Sequence, residues 1–414
     1  MSERKSPPVW KVDKHWKPLL GCALAVLAFA RTSRADQVHT NGLNHEPLVR
    51  EAYDRFYQLD YSGAVARFEQ FHTQHPGDPQ GTALLLNAVL FQELYRLDLL
   101  DTSFYSNDGF ASGKRPNGQD PKVRDRIFAL TDEAVHEADW RLSKNAKDVD
   151  ALYARGWARS LKATYLALVE RGFAGGLRLS IEAKNDHQHV LELDPNYTDA
   201  KLVFGIYEYV VGSLPLPFRM LVSAAGFSGS KAKGMEMLRD AADHGTITSV
   251  EARTTMALFL RRDGKYAEAM QVISSLKNQY PRDFLFCLEE ANLRRDSGGS
   301  ADAAAAYHTL IEQASQPGYF PSAHVDLAWY GLGQSLHSLR RYDEAAQAYE
   351  HAAWSPTAGV ELKRRSLVAA GNSHDVGGHR QQALQDYQAV LQTGSDSEQA
   401  NIARRYINRP FQQD

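Results

Sequence analysis

Two Glu-x-x-His pairs, Glu69/His72 and Glu133/His136, come nearest to carrying chemistry in this 414-residue chain. Glu and His three residues apart on a helix share a face, and two such pairs on facing helices can hold a di-metal centre. Glu51 and Glu93 on neighbouring helical stretches would complete the carboxylate set. The register argues against it. Counted from the inward alanines Ala64 and Ala134, the first pair stands at +5 and +8 and the second at −1 and +2, so the pairs face different directions. His187 and His189, two apart on a helix, also diverge. No zinc-ligand spacing or nucleophile elbow is present, and the glycine cluster Gly172–Gly176 has no preceding strand to make it a phosphate loop. A non-catalytic chain without metal or cofactor is expected.

The elements that position these residues follow one pattern, clearest in Val250–Asp283. That stretch is a 34-residue helix–turn–helix unit. Ala257 is the small residue at the helix crossing, Gly264 makes the turn, Ala269, Ile273 and Leu276 form the apolar stripe of the second helix, and Pro281 stops it. Ala291, Ala303 and Tyr307 repeat the pattern 34 residues on. Gly333, Ala345 and Tyr349 do so after a longer linker, and Gly371, Ala383 and Tyr387 form the last pair. Small and apolar residues at these offsets resemble the tetratricopeptide (TPR) family, whose period is 34. The resemblance implies an all-α, TPR-type α-solenoid: a right-handed superhelix of antiparallel helix pairs whose concave groove binds peptides or proteins.

Taking Val250 as position 1, the ninth residues of the last three units are Asn292, Gln334 and Asn372, and Arg261, Arg295, His337 and Asp375 follow a turn later. These seven are the candidate protein-binding groove. Side-chain amides offer donors and an acceptor to an extended peptide backbone. A clamp for a C-terminal carboxylate, known in some members of the family, is not expected, because the position that carries lysine there holds Leu288, Tyr330 and Val368 here.

Residues 46–249 read as divergent pairs of the same kind, residues 250–396 as regular ones, and 397–414 as a capping helix and tail. The polar insertion Asp101–Asp120 reads as a surface excursion, with a functional loop as the alternative. The third and fourth pairs are longer than the reference unit, the fourth by the apolar stretch 210–227. Gly212–Ala242 is similar to the inclusion-body-clearance family of TPR proteins, which implies contact with membranes or lipids. Within that stretch Leu216, Phe218, Met220 and Leu221 are the candidate lipid contacts, while Pro215, Pro217 and Arg219 exclude a spanning helix. The competing reading, extra core inside a lengthened pair, is preferred because such a hairpin needs apolar filling.

Residues 1–35 differ in kind. Five Lys/Arg precede the apolar run Leu19–Ala30, and Ser33-Arg34-Ala35 supplies small residues, the order of a secretory signal peptide followed by a linker at 36–45. Its removal takes seven of the 47 Lys/Arg and two of the 50 Asp/Glu, leaving 40 and 48 and a net charge of −8. Nucleic acid is then a poor partner. Only Cys287 remains, so no intrachain disulfide can form, and its register is inward. The expectation is an exported scaffold or adaptor, periplasmic or extracellular, or membrane-anchored if the segment is retained. It would bind a protein or peptide, with a membrane- or lipid-associated factor as the alternative.

Overall fold

Asp-Pro at 78–79 and 120–121 starts two of the helices, because the aspartate accepts from the second helical N–H (Gln80, 2.9 Å; Lys122, 2.9 Å) while the proline has no N–H to orphan. Such local signals organise the whole chain in the computed structural model, which describes residues 38–105, 118–224, 228–394 and 396–413. Residues 39–414 form one unit, and the expected signal segment lies outside the described residues.

The described residues are helical and contain no strand. In order, the helices are α1 (Pro47–Phe56), α2 (Tyr61–Gln74), α3 (Pro79–Arg96), α4 (Pro121–Lys144), α5 (Val149–Leu168), α6 (Phe173–Leu193), α7 (Ala200–Ser213), α8 (Leu216–Ala224) and α9 (Lys231–His244). They continue as α10 (Ser249–Arg262), α11 (Tyr266–Gln279), α12 (Phe284–Asp296), α13 (Ser300–Ser315), α14 (Val325–Ser338), α15 (Tyr342–Trp354), α16 (Val360–Val376), α17 (Arg380–Gln392) and α18 (Glu398–Asn408). Consecutive helices pack as antiparallel pairs, and α8 is an extra helix inside the fourth pair. The turn of each regular pair is set by one left-handed residue: Gly264, Gly298, Arg340 and Gly378, at φ 72°, 91°, 60° and 84°. Such a residue ends a helix, and glycine adopts it without steric cost.

The small residue at each crossing makes room for a ring. A Cβ on Gly333 would lie 2.6 Å from the Tyr349 ring, and one on Gly371 would lie 2.5 Å from Tyr387. A single apolar cluster of buried side chains runs from Val49 to Ala370, with smaller clusters around Tyr209 and Tyr387. Cys287 is buried in the long one, and burial pushes its thiol up to about 12, which keeps it protonated and unreactive. At the end of the array α18 buries Ala400 and Ala403, and Arg380 closes its last turn by donating to the carbonyls of Tyr406 (2.7 Å) and Ile407 (2.8 Å).

The array does not stay open. Residues 39–46 strap the first pair to the fourth and fifth: Thr40 donates to the buried Asp199 (2.7 Å), which also accepts from Thr248 Oγ1 (2.8 Å). Tyr57, just after α1, donates to Glu251 of α10 (2.7 Å) and its ring meets that of Tyr280 at 5.0 Å. The expected surface excursion is corrected at its beginning. Thr102–Tyr105 forms a short 3-10 turn that docks on α10 and α12, with Thr102 donating to Glu289 and Arg262 donating to the Tyr105 carbonyl (2.8 Å). Residues 106–117 lie outside the described residues.

Candidate functional site

The first helices of the regular pairs, α10, α12, α14 and α16, carry the seven proposed groove residues, and the docking of the N-terminal pairs sorts these into two groups. Arg261 and Asn292 are buried and committed to the fold. Arg261 pairs with Glu289 (2.9 Å) and Asp296 (2.5 Å) and donates to Thr102 (3.0 Å). Asn292 accepts from Tyr307 (2.6 Å) and faces Asp101 at 3.4 Å. Neither side chain faces an open groove, because the register counts helix faces and does not include the segment that covers them, and Asn292 instead lines an interior cavity. Asp375 is also committed. Its carboxylate accepts from Arg380 (2.9 Å), Tyr387 (3.0 Å) and the Phe411 N–H (2.8 Å) of the returning C-terminal tail.

The second group stays half-buried: Arg295, Gln334, His337 and Asn372. Arg295 donates to the Gln334 carbonyl oxygen (2.6 Å) and Tyr387 to that of Asn372 (2.9 Å). Both amides are thereby anchored through their oxygens, and their NH2 groups have no acceptor among the described residues. His337 lies against Tyr342, ring centroids 5.2 Å apart, and burial lowers its pKa, so its imidazole is neutral at pH 7. The group offers fixed donors to the carbonyls of an extended chain.

The return of the first pairs creates a cavity that the repeat pattern did not reveal. It has a volume of about 160 Å3 and is walled by Phe56, Phe91, Ile273 and Phe286, with Glu251 and Asp283 among its polar lining. Burial raises both carboxyls to about 7, against the 4.5 and 3.8 of solvated groups. Aromatic walls with two such acids suit a small apolar group bearing a donor or a positive charge. No signal in the sequence marks it, since its walls come from helices remote in the chain.

The metal arithmetic also needs a correction. Glu69 turns to Arg126 and His136 is exposed, so the two Glu-x-x-His pairs build no di-metal centre. His72 and Glu133 do meet, however, at 3.3 Å with Glu137 beside them, because α2 and α4 pass close at that point. A second cluster joins Glu350, His374 and Asp386, where His374 and Asp386 hydrogen-bond at 2.8 Å.

The apolar stretch of the fourth pair is filling only in part: Val211 is buried. In α8, Leu216 is 59% and Met220 64% exposed, four residues apart on one face. The preferred expectation of extra core does not hold for these two. The side chains of Phe218 and Leu221 lie outside the described residues. No described helix is long and apolar enough to cross a membrane.

With this geometry in place, comparison with known proteins decides the repeat. Residues 288–358 match the tetratricopeptide repeat. The chain is a TPR-type α-solenoid. Solved structures that resemble it include a tetratricopeptide repeat protein from Parabacteroides merdae, at 17% identity over 79% of this chain and 100% of that one, TM-score 0.34. A chain of the APC/C hetero-tetramer Cut9–Hcn1 matches at 12% identity over 93% of this chain and 58% of that one, TM-score 0.49, and yeast Tom70 at 11% over 87% of each chain, TM-score 0.40. No curated protein matches the sequence. The TPR fold is generally that of a non-catalytic protein-interaction scaffold.

Proposed function

We propose that this protein is a non-catalytic scaffold or adaptor of the cell envelope that binds an extended segment of a protein partner along α14 and α16. The reading rests on one observation. The Gln334 and Asn372 amides are anchored through their oxygens by Arg295 and Tyr387, which leaves their NH2 donors without an acceptor among the described residues. Truncating them leaves the fold intact, since Arg295 keeps Tyr307 (3.1 Å) and Tyr387 keeps Asp375. The test is capture from an envelope extract with wild type and the Gln334→Ala/Asn372→Ala double variant side by side. A partner retained by wild type and lost by the variant, at matched thermal stability, supports the reading; equal recovery overturns it. The export component rests on residues 1–35 and predicts a mature N-terminus at Asp36 in the exported fraction. An intact Met1 in the cytoplasm would end it.

The exposure of Leu216 and Met220 supports a second reading, contact with a membrane or lipid surface through α8. It predicts liposome flotation that Met220→Asp abolishes without loss of helicity. Flotation that persists in the variant, or is absent in wild type, removes it.

A further inference from the structure

We propose that Asp98, His324 and Asp326 form a divalent-metal site that fastens the N-terminal pairs to the seventh pair. Asp98 follows the end of α3, His324 caps the start of α14 and Asp326 lies in its first turn; 226 residues separate the first ligand from the second. One ligand atom from each lies within 4.8 Å of the others. Asp98 Oδ1 and His324 Nδ1 are 2.5 Å apart, and the Tyr95 ring packs edge-on against the imidazole at 4.5 Å, which limits its rotation.

The cluster is more than an acidic patch because of Asp326. This residue is fully buried, at 0% exposure. One carboxylate oxygen accepts from Thr357, and the other, Oδ2, is buried without a partner. A buried carboxylate oxygen left unpaired is costly, and such groups are found paired or bound to metal. His324 Nδ1 and Asp98 Oδ1 also lack a well-aligned hydrogen bond despite their proximity. Asp98 favours a proton on His324, which an incoming ion displaces; two carboxylates and the imidazole so deprotonated carry a charge of −2, which one divalent cation cancels.

The donor set selects the ion class. One imidazole nitrogen and two carboxylate oxygens suit Zn2+ or Mn2+ better than Mg2+ or Ca2+, which prefer all-oxygen shells. At metal–ligand distances of about 2.1 Å, neighbouring ligand atoms stand roughly 3.0–3.4 Å apart. The cluster meets this by opening the Asp98–His324 pair, which stands closer than two ligands of one ion. Asp98 and His324 keep side-chain exposures of 19% and 13%, which leaves a path for the ion and room for water to complete the shell. The ion would act as a clasp holding the first pairs on the inward face of the last ones.

The test uses metal-stripped, tag-free full-length protein titrated with ZnCl2, MnCl2 or MgCl2, read by calorimetry and by the thermal midpoint. Expected are one equivalent of Zn2+ or Mn2+, little response to Mg2+ and a raised midpoint. Binding should be at least tenfold weaker in Asp326→Asn, with Asp98→Asn, at the more accessible ligand, as the second variant should the first not fold. His72→Ala and His374→Ala, which disable the other two clusters, should keep it. No binding by wild type, or binding that survives Asp98→Asn and is lost with His72→Ala or His374→Ala, overturns the proposal.

Discussion

Replacing Glu251 by Gln isolates what it takes to put an acid in the wall of the interior cavity. Burial holds the Glu251 carboxyl at about 7 in the folded protein, while in the unfolded chain it titrates near 4.5. The native state therefore binds more protons than the unfolded state between these values, and stability falls as pH rises through that window. At 1.36 kcal/mol for each pH unit of difference, ionisation costs the native state about 3 kcal/mol at pH 8 and almost nothing at pH 4.5. Glutamine cannot ionise and keeps an acceptor for Tyr57, whose hydroxyl donates to Glu251 at 2.7 Å. Urea unfolding followed by circular dichroism at pH 4.5 and 8 should show the variant gaining about 3 kcal/mol on wild type between the two pH values. His187, fully buried and lowered to about 3 by burial, titrates in both proteins and cancels in the difference. A stability difference that does not change with pH would refute the burial argument for Glu251.

Other expectations concern the elements that shape the array. Arg261→Ala strands the buried Glu289 without its counter-charge and frees Thr102; it should cost about 3–5 kcal/mol, with part recovered by adding Glu289→Gln in a double-mutant cycle. Gly333→Ala drives a methyl to 2.6 Å from the Tyr349 ring, and a loss of about 1–3 kcal/mol in denaturant unfolding is expected even though alanine favours helix. Arg340→Gly relieves the only non-glycine left-handed turn among the four regular pairs, at φ 60°, and should raise stability by about 1 kcal/mol in the same assay.

The helix pairs were legible in the sequence because each is a local event. A left-handed glycine between helices and a small residue facing a ring of the next helix act within a single helix pair. Gly371 and Tyr387, sixteen residues apart, needed no knowledge of the rest of the molecule. The face on which Gln334 and Asn372 lie was legible for the same reason. How the array curves was not. Small rotations between neighbouring pairs accumulate along a solenoid, and no local pattern carries their sum. That sum brings Tyr57 to Glu251, Thr102 to Arg261 and Asp98 to His324, contacts spanning 159 to 226 residues. It converts Arg261 and Asn292 from apparent ligand-binding residues into buried structural ones, and it makes the aromatic cavity. The α8 stretch shows the complementary limit: its apolar composition was plain, yet whether Leu216 and Met220 face core or solvent depends on whether another helix arrives to cover them. The sequence alone determined the repeat and its register; only the tertiary structure decided which part of the inward face remains open, because covering it requires segments that are remote in the chain.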